Sequence, residues 1–405
     1  MLVTGLGVVC PLGVGRDQFF AGLREGRVAI RRVDEELDLS GIRARVAGVA
    51  DGFDPLEFLE RKRARRMGRA TQMAVAAARL ACQDAGFTPR DTARGGVAVG
   101  TGIGAMEALV DNHLVLLERG AERVSPFLAP IMMPNAPAAE VSIELGIRGP
   151  SLGVVTACAA GAHAIGIAWG WIREGLVDWV LAGGAESVLI PLVFAAFDRM
   201  GALSRNPDPA TASRPFDADR DGFVLGEGAG MLLLESEQHA RRRGAQPLAE
   251  LAGFGLSSDA FHITAPPEDG AGALAAMAGA LKSAGLSPEE VDYINAHGTS
   301  TPLNDRAETA AIKGLFGERA YRVPVSSTKS QIGHLLGASG AVEAGAALFA
   351  LVEGLLPATV TWRRRDPECD LDYVPAEPRP AHIRTALSNS FGFGGQNACL
   401  AFRTP

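Results

Sequence analysis

GPSLGVVTACAAGAHAIGIAWGWI, from Gly149 to Ile172, carries no charged side chain when His163 is neutral. A stretch of that length can span a bilayer. Pro150, His163 and five glycines interrupt it, however, and its character changes sharply near Cys158. It reads as a buried strand, a tight turn and a buried helix. Working outward, short apolar runs alternate with longer Ala-rich stretches. Leu2–Val9, Gly96–Gly100, Ser151–Thr156, Trp179–Ala182 and Gly230–Leu234 read as strands, and Arg69–Gly86 and Ala105–Arg119 as helices. Ser204–Phe216, rich in Pro, Ser and Ala, reads as a surface loop. From Leu248–Gly255 a second set begins. It has helices over 270–284, 305–315 and 337–353, strands over 291–295 and 323–327, and a closing hairpin over 385–390 and 398–402. The alternation predicts an α/β protein. The second set faintly echoes the first, which divides the chain near Leu251 into 1–250 and 251–405.

The 405 residues are 47% hydrophobic and 21% charged, as in an ordinary globular protein. The net charge of −7 argues against broad nucleic-acid binding, which needs a basic footprint, but leaves room for a local basic patch. Cys10, Cys82, Cys158, Cys369 and Cys399 are widely spaced and form no CxxC, so neither a disulfide framework nor a zinc site is expected. The first residues run into a strand-like segment without the pattern of a secretory signal. A reduced, cytoplasmic setting is the expectation.

Two motifs mislead. Gly100-Thr-Gly102-Ile-Gly104-Ala105 satisfies GxGxxA between a strand and a helix, the setting of a dinucleotide fingerprint. No clear acidic strand-end residue follows about twenty positions on, so a plain tight turn is the better reading. Asp217-Ala-Asp219-Arg-Asp221-Gly222 opens like a calcium loop. The pattern requires Glu at position 228, which is Gly. A turn closed by Asx hydrogen bonds fits instead.

Chemistry concentrates elsewhere. Cys158 stands where the strand-like run stops and a helix starts, among small residues. A helix N-terminus favours thiolate and offers N–H donors to an oxyanion. A small core cysteine suits the same residues equally well. His297 follows a strand in the small, hydroxylated loop Asn295-Ala-His297-Gly-Thr-Ser-Thr301, where it is either a site residue or a turn cap. Lys329, one of four lysines, lies in the uncharged segment Ser326-Ser-Thr-Lys329-Ser-Gln-Ile-Gly-His334. A buried ammonium needs a partner, and Glu308 is a candidate. Ser388-Asn-Ser-Phe391-Gly-Phe393-Gly-Gly395 is a glycine-rich turn, either a simple hairpin or a mobile loop with an aromatic gate.

In chain order, TACAAGAHAIG, RPFDADRDGFVLGEGAG, SSDAFHIT, NAHGTSTPLND, STKSQIGHLLGASGAVE and NSFGFGGQNA resemble the motifs of β-ketoacyl-[acyl-carrier-protein] synthases of the thiolase-like superfamily, most closely the elongating synthase II type. The resemblance runs over essentially the whole chain. It implies a thiolase-like fold of two pseudo-repeated halves in a layered αβαβα arrangement. It implies a decarboxylative Claisen condensation in which an acyl chain on Cys158 is extended by two carbons from malonyl-acyl-carrier protein. His297 and His334 would stabilise the enolate, and Lys329, paired with Glu308, would support them. The N–H groups of Cys158 and Phe393 would form the oxyanion hole, with Phe393 also the gate. Thr299 and Thr301 match positions that bind the phosphopantetheine amides. Asn295, Ala296, Glu343, Ser388 and Asn389 match a monovalent-cation site of some relatives; a hydrogen-bonded buried acid is the plainer reading of Glu343.

The family needs no cofactor of its own, its substrates arriving on the phosphopantetheine of acyl-carrier protein. Lys62, Arg65 and Arg66, in the most basic run of this acidic chain, match the family's carrier-protein docking patch, although a solvated helix face is the usual fate of such a run. The partners implied are acyl-carrier protein and a second subunit, in a homodimer or in a heterodimer with a chain-length factor. No nucleic acid and no membrane are involved. Ala159-Ala160 and Gln396 depart from the commoner family residues. A polyketide synthase subunit, a nicotinamide-dependent oxidoreductase and a catalytically silent binding protein are the rival readings.

Overall fold

The computed structural model describes residues 1–405. Its first half contributes strands β1 (Leu2–Cys10), β2 (Gly95–Gly100), β3 (Ser151–Val154), β4 (Trp179–Glu186) and β5 (Gly228–Glu235). Its second half contributes β6 (Ala249–Ser258), β7 (Tyr293–Asn295), β8 (Val325–Ser326), β9 (Thr385–Gly392) and β10 (Gln396–Arg403). The hydrogen-bonded order is β8-β7-β9-β10-β6-β1-β5-β4-β2-β3. At its centre only Leu2↔Glu250 and Val3↔Ala249 join the halves. On either side of that seam the pairing is the same. β2 lies parallel to β3 and β4, with β4–β5 and β5–β1 antiparallel. β7 lies parallel to β8 and β9, with β9–β10 and β10–β6 antiparallel. β4 and β5 are buried along their whole length, which explains their continuous apolar sequences.

Helices complete the layers. α1 (Arg69–Asp84) covers the outer face of β1, β4 and β5, and α3 (Ala271–Ala284) covers β6 and β10. The sequence provides for both contacts with paired glycines. Gly5 and Gly7 lie beneath the carbonyls of Ala81 and Ala77, and Gly253 and Gly255 beneath those of Ala280 and Ala276. A Cβ at any of the four would collide with helix backbone. α4 (Pro302–Phe316) packs beside α3. Between the half-sheets run α2 (Ala160–Arg173) and α5 (Ser339–Glu353), which touch each other and strands of both halves. This is the αβαβα arrangement.

The repeat extends to single residues. Ala157-Cys-Ala-Ala-Gly161-Ala ahead of α2 corresponds to Leu336-Gly-Ala-Ser-Gly340-Ala ahead of α5. Each begins with a 3₁₀ turn, and each carries a non-glycine residue in the left-handed region, Ala157 at φ 49° and Leu336 at φ 46°. The two helix N-termini meet almost backbone to backbone. A Cβ on Gly161 would stand 2.9 Å from the Gly337 oxygen, and one on Gly340 would stand 2.8 Å from the Ala162 nitrogen.

Several expectations change in detail. β3 is not a buried strand. It is the outermost strand of the first half, with Leu152 42% and Val155 51% exposed; lack of charge there marks an open apolar edge, not an interior. The second set begins at Ala249, so a boundary at 251 falls inside β6. The stretch long and apolar enough to cross a membrane is Leu336–Glu353, not Gly149–Ile172, and most of it is buried inside the protein.

In the GxGxxA turn the amides of Gly102 and Ile103 donate to the Glu186 carboxylate and that of Gly104 to the Thr101 hydroxyl, so these three are not available to a phosphate. In the calcium-like segment, Asp217 accepts the N–H groups of Asp219, Arg363 and Arg364, and Asp221 accepts the Ser204 hydroxyl and the Arg205 N–H.

Gly184→Ala tests the helix crossing. Its Cβ would stand 2.5 Å from the Gly337 oxygen and 3.0 Å from the Gly161 Cα. We expect about 1–3 kcal/mol of lost stability in urea unfolding.

Candidate active site

Both halves supply the site. The turn between β3 and α2 brings Cys158, the loop after β7 brings His297, and the segment after β8 brings Lys329 and His334. His334 Nε2 lies 3.0 Å from Cys158 Sγ. Its Nδ1 lies 2.8 Å from the Ser339 hydroxyl at the start of α5, and its own N–H donates to the Val224 carbonyl at 2.7 Å. The rings of His297 and His334 stand edge to face, 5.3 Å apart. A ring nitrogen of each histidine and the Cys158 sulfur all lie within 4.8 Å of one another.

Lys329 settles the tautomer of His297. The side chain is wholly buried, and its Nζ donates to the His297 carbonyl at 2.5 Å and to His297 Nδ1 at 3.4 Å. An ammonium has donors only, so Nδ1 is an acceptor and the His297 proton sits on Nε2. The charge partner of Lys329 is Glu343, not Glu308. Glu308 is spoken for: it accepts the N–H groups of His297 and Gly298 at 2.9 and 2.8 Å and the Asn389 amide at 3.1 Å. Sequence alone could not separate the two acids, since both pack against the same loop from different helices.

Burial governs the protonation states. It holds both imidazoles well below their ordinary pKa, and the nearby Lys329 charge pushes in the same direction; both rings are neutral. Burial likewise pushes the Cys158 thiol up to about 11, opposed by Lys329 and by the Phe393 N–H. The resting group is therefore a thiol rather than the thiolate expected at a helix N-terminus, because desolvation outweighs the favourable dipole and cation. Glu343 is raised by burial to about 7 against the pull of Lys329.

A cavity of about 500 Å³ opens onto these groups, with Cys158, His297, His334, Thr299, Thr301 and Phe393 among its lining. Thr299 and Thr301 share a 2.8 Å hydroxyl contact, and Thr301 also caps α4. Phe393 sits in the β9–β10 turn, which is tied to a neighbouring loop by Gly394 N–H to the Ile263 carbonyl at 2.7 Å and Asp259 N–H to the Gly395 carbonyl at 2.9 Å.

Lys62, Arg65 and Arg66 are exposed, lie outside the cavity lining and have no carboxylate at ion-pair distance, whereas Arg63 is held by Glu140 and Glu144. Two residues at the site escaped sequence reading. Ser339 offers no signal, being one small residue among many. Glu186 does, as the single acid ending the charge-free strand Trp179–Glu186.

The family described as Beta-ketoacyl synthase, N-terminal domain, matches residues 1–240, and its C-terminal domain matches 248–363. The chain is 48% identical over 406 residues to 3-oxoacyl-[acyl-carrier-protein] synthase 2 of Synechocystis sp., covering 100% of this chain and 97% of that protein. Among solved structures, the ishigamide ketosynthase/chain length factor superposes with a TM-score of 0.93 at 39% identity, covering 100% of this chain and 98% of that one. A type II PKS acyl-carrier protein in complex with its ketosynthase bound to the hexaketide gives 0.92 at 35%, with 100% and 99% covered. The chain belongs to the β-ketoacyl synthase family.

Lys329→Met is expected to cost about 3–5 kcal/mol in urea unfolding, because it leaves Glu343 buried without its cation. Lys329→Met combined with Glu343→Leu should recover most of that loss.

Proposed function

We propose that this protein elongates acyl chains by decarboxylative condensation with malonyl-acyl-carrier protein. The observation that carries the reading is the Cys158–His334 contact at 3.0 Å, beside a second neutral histidine whose Nε2 proton is fixed by Lys329. In acyl transfer, the Cys158 sulfur attacks the incoming thioester as His334 Nε2 takes the thiol proton. The oxyanion is held by the N–H groups of Cys158 and Phe393. The carrier's phosphopantetheine thiol leaves with that proton. Malonyl-carrier protein then enters and loses CO₂. Once exchange with solvent has moved the His334 proton from Nδ1 to Nε2, a tautomer the Ser339 hydroxyl serves by donating to Nδ1, His297 and His334 both donate Nε2–H to the enolate oxygen. The enolate carbon attacks the acyl carbonyl, the C–S bond to Cys158 breaks with the electron pair leaving on sulfur, the thiolate takes a proton from water to restore the thiol, and the β-ketoacyl product leaves two carbons longer. Thr299 and Thr301 hold the phosphopantetheine arm. No cofactor takes part.

A monovalent cation fits beside this machinery. Asn295 Oδ1, Glu343 Oε2, Ser388 Oγ and Asn389 Oδ1 are buried oxygens without a hydrogen-bond partner. With the Ala296 carbonyl they would hold such an ion, which would satisfy these unpartnered oxygens. Lys62, Arg65 and Arg66, free of ion pairs, dock the acidic carrier protein. The open apolar edge at Leu152 and Val155, with the helices Met106–Arg119 and Leu128–Met132, whose residues are half-buried or exposed, takes a second ketosynthase-like subunit. The likeness to ketosynthase/chain-length-factor pairs favours a heterodimeric polyketide subunit as the second reading; co-purification of a homologue lacking the cysteine selects it. Five free, buried cysteines suit a reducing compartment, the cytoplasm.

Incubation with acyl-carrier protein thioesters should leave an acyl adduct on Cys158, read by mass spectrometry, and none in Cys158→Ala. Cys158→Gln should abolish condensation while CO₂ release from malonyl-carrier protein persists. An absent wild-type adduct overturns the reading. Arg65→Glu with Arg66→Glu should raise KM for acyl-carrier protein about tenfold with little change in kcat; an unchanged KM removes the docking assignment.

A further inference from the structure

Glu186 ends β4 wholly buried, and no step above uses it. Its carboxylate accepts four hydrogen bonds from two separate turns. Oε1 takes the Thr101 hydroxyl at 2.9 Å and the Ile103 N–H at 3.3 Å. Oε2 takes the Gly102 N–H at 2.5 Å and the Gly337 N–H at 3.0 Å. Burial raises its pKa, and these four hydrogen bonds oppose that rise. A buried, ionised carboxylate is costly and survives only when its lone pairs are met by donors, as they are here. The turns it joins are cavity walls: Gly102, Ile103 and Leu336 line the same space as Cys158. Both walls come close to the carboxylate, and a Cβ on Gly102 would stand 2.7 Å from Oε2.

The geometry points to Glu186 as a positioning and specificity residue, whose carboxylate straps the Ile103 wall to the turn following His334 and so sets which acyl chains the cavity admits beside Cys158. The inference rests on the condensation reading for the identity of the natural chain, but the strap itself follows from the four bonds. Removing it leaves three N–H groups, one buried and two part-buried, without acceptors, and the walls separate. Its charge also bears on the nucleophile. The groups of changeable or fixed charge around Cys158 are Lys329, Glu343, Glu186, His297 and His334. Of these, Glu186 alone is bonded to the Ile103 wall.

The test compares wild type with Glu186→Gln, which keeps the volume and one accepting oxygen but replaces the other with an –NH₂ facing at least one N–H that cannot accept from it. Cys158 is alkylated with N-methyl and N-decyl iodoacetamide, and the ratio of the two rates is measured. We expect that ratio to change about tenfold, the effect of a lost bond to a charged group. The pH midpoint of N-methyl alkylation should fall by about one pH unit, as a negative neighbour is removed. A purely structural role would lower thermal stability and leave the ratio alone; an unchanged ratio overturns the inference. Should Glu186→Gln fail to fold, Thr101→Val removes one of the four bonds, and its rate ratio should move several-fold with the midpoint unchanged; no movement overturns the inference equally. These readouts need no carrier protein. A wild type that forms no acyl adduct therefore sinks the condensation reading without touching this one.

Discussion

Everything at the site depends on how closely α2 and α5 approach at their N-termini. The contact between Gly161 and the Gly337 oxygen, with Gly184 beneath, brings two turns from opposite halves of the chain into contact. One turn carries Cys158 and the other follows His334, so the 3.0 Å contact between sulfur and imidazole is a product of that crossing. A single methyl group at the crossing would force the halves apart. The strained residues Ala157 and Leu336 are the first residues of the paired turns, where the backbone must bend sharply to enter each helix. Left-handed non-glycine residues concentrate where function constrains the backbone, and both lie in the cavity wall.

The second organising feature is buried charge, met in three ways. Glu308 takes two backbone amides and an asparagine, and thereby fixes the loop bearing His297. Glu343 takes Lys329, whose remaining donors fix the His297 ring. Glu186 takes three amides and a hydroxyl and joins two walls. Such low-dielectric networks are stiff, since breaking any bond strands a buried polar group. Burial, aided by the Lys329 charge, holds the histidines neutral, the state in which an imidazole can donate to an enolate without first losing a proton.

Much of this was legible in the sequence. The alternation of apolar runs and Ala-rich stretches gives the α/β class, and six motifs in order give the family. Cys158, His297, His334 and Lys329 stand out because rare or reactive residues interrupt small, uncharged surroundings. The partner of Lys329 was misread because Glu308 and Glu343 are equivalent in one dimension. The burial of β3 was misread because an apolar edge and an apolar interior have the same composition.

The sequence by itself determined which groups are available: a thiol, two imidazoles, an ammonium, and glycines spaced to let backbones meet. The tertiary structure alone decided their states and pairings. Whether Cys158 rests as thiol depends on the balance of desolvation against Lys329 and the Phe393 N–H. Which acid meets Lys329 depends on which helix points its carboxylate inward. Both are through-space energies between residues far apart in the chain, and they exist only once the two halves have closed on each other.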